Sequence, residues 1–220
     1  MAMRIQEILT CLDEAHLHYE LHEITREPVI LFQTNNYMGD NGIHMLLVII
    51  QLTEDGEYIK FFTPAAYHIP DDETAYAVLK TFSIIAWQVK LVDFEVDPAD
   101  GEVRPTIDFA LEDGTLTTEQ VRRCCKTLAR VIDILHPYIK HALVHNEVHE
   151  RLLHGNVREI FSEFAGFEQG DSTMDEFRQR LAELQAEVEE EVEELFSESE
   201  PPEEQPNPEK EDDPSDDEWI

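Results

Sequence analysis

The sequence is poor in cysteine and in basic residues. Its three cysteines, Cys11, Cys124 and Cys125, are odd in number and have no C-x-x-C spacing, which argues against a disulfide framework and a zinc ribbon. Lys and Arg number 16 against 49 Asp and Glu, and the net charge is −33. A charge of this size repels phosphate backbones and anionic membrane surfaces. We therefore expect no direct nucleic-acid binding and no membrane partner.

Long apolar runs and catalytic motifs are also missing. The longest apolar stretch, residues 43–50, is too short to cross a bilayer, and the first residues show no signal-peptide pattern. Together with the sparse cysteines, this predicts a cytoplasmic protein. No G-x-S-x-G, P-loop or G-x-G-x-x-G sequence occurs. We expect no catalytic residues, no cofactor and no enzymatic activity.

Hydrophobic residues make up 42% of the chain, which is enough for a packed core. Residues 3–16 have helical apolar spacing, and residues 17–21 alternate as a strand does. Apolar stretches at 29–32, 43–52 and 58–63 predict a meander of three antiparallel strands. The middle stretch is the most apolar, so we expect the central strand to be covered on both faces or nearly so.

The next elements are separated by prolines and turn residues. After a connector between Pro64 and Pro70, a helix is expected to about Ala86, with Leu79 among its inward residues. A hairpin follows at residues 89–111, where Pro105 favours an edge or a bulge.

The capping box Thr117-x-x-Gln120 opens a long helix, which Pro137 should kink or end. Helical character then resumes and stops near Gly155, and residues 156–167 carry another short helix.

Three local patterns stand out in this order of elements: Trp87-Gln88-Val89-Lys90-Leu91 on a strand, the partner strand at 102–111, and the helix opened by Leu116-Thr117-Thr118-Glu119-Gln120. Together with the order itself, over roughly residues 3–136, they resemble the YbjN-like domains, which are similar in fold to type III secretion chaperones. The resemblance implies an α+β sandwich, often dimeric, whose relatives bind other polypeptides. That family has no catalytic signature, so no functional residue is carried over.

We predict an α+β fold in which an antiparallel sheet, made of the three-strand meander and the hairpin, packs with helices. The predicted organisation is a YbjN-like domain over residues 1–140 and a helical extension over 141–169. An acidic amphipathic helix follows over 170–197, and a disordered acidic tail over 198–220.

The last fifty residues hold 21 acidic and 3 basic side chains, a density that suits a protein or peptide partner with a basic segment. Apolar residues recur there near every 3.5 positions, and an aromatic anchor follows the final acids. Like charges beside these apolar residues disfavour pairing between two copies of the helix, and a homodimer is the remaining alternative. The partner-binding candidates are Met174, Phe177, Leu181, Leu184, Val188, Trp219 and Ile220.

Three histidines recur one helical turn apart, at His141, His145 and His149. On a helix they would share one face, and two histidines at this spacing can chelate a metal ion. The pattern equally suits a partly exposed face that titrates below neutrality. No H-E-x-x-H sequence accompanies it, so no metal is assigned.

The function predicted from these patterns is a non-catalytic protein- or peptide-binding module with a chaperone-like or regulatory role. Its acidic C-terminal extension would recruit a partner or shield the binding surface. One alternative is a metal-binding protein or metal-dependent enzyme that uses the His-rich helix face. Another is an acidic regulator that mimics nucleic acid. A reactive thiolate at Cys124 or Cys125 is the weaker interpretation beside a structural one.

Overall fold

The structure, a computed structural model, describes residues 2–39 and 42–163. These residues belong to the first of two compact units, Met1–Leu181 and Ala182–Ile220. The elements in chain order are α1 Ile5–Glu14, β1 Glu20–Leu21, β2 Pro28–Gln33, β3 Met45–Thr53, β4 Tyr58–Phe62, β5 Tyr67–His68, α2 Asp72–Gln88, β6 Asp93–Val96, β7 Glu102–Ala110, α3 Thr118–His145, α4 Glu150–His154 and α5 Val157–Glu163.

The strands form one antiparallel sheet in the order β1-β2-β3-β4-β7-β5, and β6 pairs with the other side of β7. The predicted meander β2-β3-β4 is present, as is the hairpin β6-β7, and the α+β fold class is confirmed. The short strand β5 was not predicted, because two residues between prolines carry no alternation that a sequence pattern could reveal.

Burial within the meander differs from the prediction. Strand β3 alternates, with Leu46, Val48 and Ile50 buried and the intervening side chains only half-buried. It is β2 that is buried on both faces, from Pro28 to Phe32. The apolar run in β3 therefore reflects a half-covered outer face rather than a strand enclosed on both sides.

Helix α3 is the centre of the domain. Its 28 residues, about 42 Å of helix, pack on β3, β4 and β7 and are flanked by α1 and α2. The predicted capping box is formed, since the Thr117 hydroxyl accepts from Gln120 N–H and the Gln120 side chain accepts from Thr117 N–H. The helix runs through Pro137, so that proline does not end it.

The prediction for residues 87–91 was wrong. Trp87 and Gln88 belong to the last turn of α2, and Val89 N–H still bonds to the Ile85 carbonyl at 2.8 Å. Only then does the chain turn, and β6 begins at Asp93. Aromatic and β-branched residues at the end of a helix have the composition of a strand. Composition alone therefore could not distinguish the last turn of α2 from a strand.

Pro105 lies in β7 with strands on both sides, so it is not on a sheet edge. It falls between the ladder to β4, which starts at Thr106, and the ladder to β5, which ends at Val103. Its carbonyl accepts from Thr63 N–H at 3.1 Å. Proline has no N–H to donate, and Pro105 lies beside the gap between β4 and β5, where no strand pairing is lost.

Gly56 fixes the turn between β3 and β4 against the start of the chain. Its φ of +94° lies in the left-handed region, and a Cβ there would stand 2.1 Å from the Met3 carbonyl oxygen. Met3 N–H donates to the Gly56 carbonyl at 3.1 Å. Only glycine allows this close approach.

Asp133, on the inward side of α3, is the one buried charged side chain among the described residues, with 3% of its surface exposed. Its carboxylate accepts the backbone N–H groups of Asn35, Asn36 and Tyr37 at 2.7 to 3.2 Å. These bonds hold the β2–β3 loop against the central helix. They also replace the hydrogen bonds to water that the carboxylate loses on burial.

An aromatic cluster lies beside this anchor. Tyr37 meets the rings of Tyr67 and His136 edge-on, with centroids 5.9 and 5.2 Å away, and Tyr67 stacks on His136 at 5.8 Å. Burial, reinforced by the neighbouring Lys140 ammonium, lowers the pKa of His136 from 6.5 to about 4. Burial likewise raises the pKa of Tyr67 well above 10, so its hydroxyl keeps its proton.

We expect Asp133→Asn to lower the free energy of unfolding by about 3 kcal/mol, because an amide removes the charge and turns an NH₂ group toward backbone donors. Urea unfolding followed by circular dichroism measures the change. Asp93→Asn, on an exposed position of β6, is the control and should change stability by less than about 0.5 kcal/mol. Equal effects of the two substitutions would contradict the anchoring role of Asp133.

The lowered pKa of His136 predicts a pH dependence of stability. As the pH falls below 6.5 the unfolded chain takes up a proton that the folded chain resists until about 4, so stability is lost across that window. His136→Phe keeps the aromatic packing and removes the titration. Between pH 7 and pH 5 the wild type should lose about 2 kcal/mol more than the variant. The same substitution at His18, which is exposed, is the control, and an equal change of the pH dependence in the two variants would contradict the role of His136.

Candidate partner-binding surface and pocket

Helix α2 begins at a well-formed cap and buries one side. The Asp71 carboxylate accepts Thr74 N–H at 2.8 Å, a bond that lowers the pKa of Asp71. Val78, Phe82 and Ile85 are buried toward the core, and the helix packs against α3 and β6. The cap and the inward stripe together fix which side of α2 is left outside.

The outer side of α2 carries three large apolar side chains. Tyr76, Leu79 and Trp87 are 73%, 45% and 90% exposed. Their spacing of three and eight residues places them on one side of the helix. Leu79 was predicted to face inward, which is wrong: the inward stripe is complete without it. Exposed apolar groups that cluster in this way mark interaction sites more often than single ones do.

A groove of about 370 Å³ lies at the end of α2, where Gln88 follows Trp87 in the chain. Its wall on the other side is α5, which is held in place where Val157 N–H donates to Gln88 Oε1 at 2.8 Å. We call these residues together the α2 surface: Tyr76, Leu79, Lys80, Trp87 and the groove lining Gln88, Val89, Lys90, Val157, Arg158 and Phe161.

The charged residues of the α2 surface as defined are positive, while the exposed Glu73, one turn before Tyr76, is the acidic neighbour on that side of the helix. Lys80, Lys90 and Arg158 are its charged members, and no acidic side chain occurs among the described residues that line the groove. Within the described part of the chain none of the three forms an ion pair, while Lys80 lies 5.8 Å from the Tyr76 ring centre. The surface therefore offers apolar contact area bordered by positive charge.

A second cavity, of about 300 Å³, opens between the end of α3, the β4–α2 connector and the β2–β3 loop. We call it the α3 pocket. It is lined by Met38, Ala66, Tyr67, His68, Pro70, His136, Lys140, Leu143 and Val144. The rings of Tyr67 and His136, packed in the aromatic cluster, form its rigid wall.

The three predicted histidines come together, but not on one helix. Helix α3 ends at His145, where Asn146 takes the left-handed conformation, and His149 caps the separate helix α4. This turn brings the His149 ring to 4.9 Å from His141, whose ring is 4.6 Å from His145. The His141 Nε2 also lies 3.3 Å from Glu147 Oε1.

No group of three or more His, Cys, Asp or Glu side chains between residues 2 and 163 is arranged to hold a metal ion, residues 40 and 41 aside. The cluster of His141, His145 and His149 is described by its ring contacts and its ion pair alone.

The two adjacent cysteines of α3, Cys124 and Cys125, are both buried. Burial raises the pKa of Cys124 to about 11, although Arg123 opposes the shift. A thiol with a raised pKa is a poor nucleophile near neutrality. The structural interpretation of Cys124 is therefore favoured over a reactive thiolate.

The predicted partner-binding residues Met174, Phe177, Leu181, Leu184, Val188, Trp219 and Ile220 lie outside the described residues. The same is true of the predicted amphipathic helix and of the predicted disordered tail. Sequence reasoning missed the α2 surface and Asp133. An aspartate inside the apolar run Val131-Ile132-Asp133-Ile134-Leu135, and an aromatic residue off the inward stripe of α2, are the signals that could have found them.

No helix in the described part of the chain combines the length and the apolar character needed to cross a membrane.

Comparison with known proteins gave a likeness at the level of structure. No protein-family model and no curated protein sequence matches the chain. The crystal structure of YbjN from E. coli, described as a candidate transcription regulator, is similar at 13% sequence identity and a TM-score of 0.45. The match covers 62% of this chain and 94% of that one. YbjN is the family that the sequence resemblance named, and a likeness of this size assigns this chain neither a family nor a role.

Proposed function

We propose that this chain is a non-catalytic protein-binding module with a chaperone-like or regulatory role, and that its α2 surface holds apolar side chains of a protein partner. The observation that carries the proposal is the exposure of Tyr76, Leu79 and Trp87 on one side of a helix. Tryptophan and tyrosine are the side chains that most often supply binding energy at protein interfaces.

The chemistry of the partner follows from the charges around these anchors. Lys90 and Arg158 border the groove, so the partner segment that enters it carries apolar side chains with a carboxylate nearby. The 21 acidic side chains of the last fifty residues attract a basic segment of the same partner from a distance. Apolar contact then supplies affinity, and charge supplies the rate of encounter and the choice of partner.

Replacing two of the three exposed apolar side chains of α2 tests the α2 surface. The double variant Trp87→Ala, Leu79→Ala should bind the partner at least about tenfold more weakly, because it removes the largest apolar contacts. Its free energy of unfolding should change by no more than about 1 kcal/mol, since both side chains face water. Affinity capture with mass spectrometry identifies the partner, and titration of the purified partner gives the affinities.

Ile24→Ala is the matched control, because Ile24 is 86% exposed in the β1–β2 turn, away from α2. Unchanged affinity of the double variant would contradict the proposal, as would a loss equal to that of the control. Sedimentation of the free proteins adds a second test: if the double substitution only converts a dimer to a monomer, the α2 surface joins two copies of this chain and the proposal is wrong.

Deleting residues 198–220 tests the acidic extension separately. We expect the free energy of unfolding of the domain to be unchanged, and the association rate with the partner to fall and to depend less on salt. Stopped-flow association at low and moderate ionic strength measures both. An association rate and a salt dependence equal to those of the full chain would leave the extension without a recruiting role.

A further inference from the structure

The α3 pocket is distinct from the α2 surface and has features of a small-molecule site. Its volume of about 300 Å³ is at the small end of the range that ligand pockets occupy. Its apolar lining comes from three separate segments, represented by Met38, Pro70 and Leu143. Asp133 fixes one of these segments by holding the backbone of residues 35–37. The walls are thus formed before any ligand enters.

The polar groups of the pocket are positive or neutral. Lys140 lies on its wall and forms no ion pair within the described residues. None of the described lining residues is acidic, although the chain has three times as many acids as bases. The nearest buried carboxylate, that of Asp133, accepts backbone N–H groups of the β2–β3 loop. Lys140 therefore presents an uncompensated positive charge to the cavity.

His136 adds a neutral donor one helical turn from Lys140. The Tyr67 hydroxyl lies 3.3 Å from His136 Nδ1, and we assign it as the donor because its buried proton otherwise has no acceptor among the described residues. The proton of the neutral ring then resides on Nε2, which has no hydrogen-bond partner in the described part of the chain. A ligand oxygen can accept from this N–H while it also pairs with the Lys140 ammonium.

We propose that the α3 pocket binds a small amphipathic carboxylate, whose anionic head lies between Lys140 and His136 and whose short apolar chain packs on Met38, Leu143 and Val144. A cationic ligand would meet Lys140 with no carboxylate to offset the repulsion. A neutral alcohol would gain the apolar contacts but not the charge-assisted hydrogen bond. The head group is therefore what selects the ligand.

Three probes of equal chain length separate these cases: hexanoate, hexanol and hexylamine, titrated against the full chain near 0.15 M salt. Calorimetry and histidine side-chain NMR follow the binding. We expect hexanoate to bind with a Kd of roughly 1 mM or tighter, to shift the His136 ring resonances, and to bind at least about tenfold more tightly than hexanol. Hexylamine should leave the His136 resonances in place.

Substitutions on α3 locate the site. Lys140→Gln should weaken hexanoate binding about tenfold and leave the hexanol affinity unchanged. Val144→Glu, at a position 61% exposed and so tolerant of substitution, should abolish hexanoate binding by placing a negative charge in the pocket. Lys126→Gln on the same helix, outside the pocket, is the control. Equal affinities for hexanoate and hexanol, no binding of hexanoate, or equal effects of Lys140→Gln and Lys126→Gln would overturn the proposal.

Discussion

The arrangement around α3 depends on the hydrogen bonds that the buried Asp133 carboxylate accepts. Taking an ionised carboxylate out of water costs several kcal/mol unless donors replace the lost hydration. Here the donors are three successive backbone N–H groups, from Asn35 to Tyr37. The loop therefore cannot leave the helix without stranding a buried charge. Tyr37 is placed in the aromatic cluster by the same bonds, and Met38 on the wall of the α3 pocket follows it.

The position of α3 also decides what the other helices can do. Because α3 covers β3, β4 and β7, α1 and α2 pack on its flanks and each has a side that meets no other described element. On α1 that side is mostly polar. On α2 it carries Tyr76, Leu79 and Trp87, whose exposure gives nothing to the stability of the domain. The exposure of these three side chains on one surface is the observation behind the proposed interaction site.

The features that could be predicted from the sequence are those that depend on residues close together in the chain. The meander and the cap at Thr117 follow from local alternation and from a four-residue pattern, and both are present. Asp133 could not be placed, because its donors lie 96 to 98 residues away along the chain. The end of α2 was misplaced because the stretch at Trp87 has the composition of a strand, whereas in the structure the helix continues to Gln88.

The α2 surface and the α3 pocket share a property that the net charge of the chain does not reveal. A chain of net charge −33 has enough carboxylates to neutralise every base, yet Lys80, Lys90, Lys140 and Arg158 have no ion pair within the described residues. Beyond a Debye length of about 8 Å the acidic excess is largely screened, while a contact at about 4 Å is not. The proposed carboxylate ligand would therefore be repelled weakly at a distance and attracted once it makes contact. Such a surface favours ligands whose apolar parts fit closely enough to bring the charges together, so shape and charge select jointly.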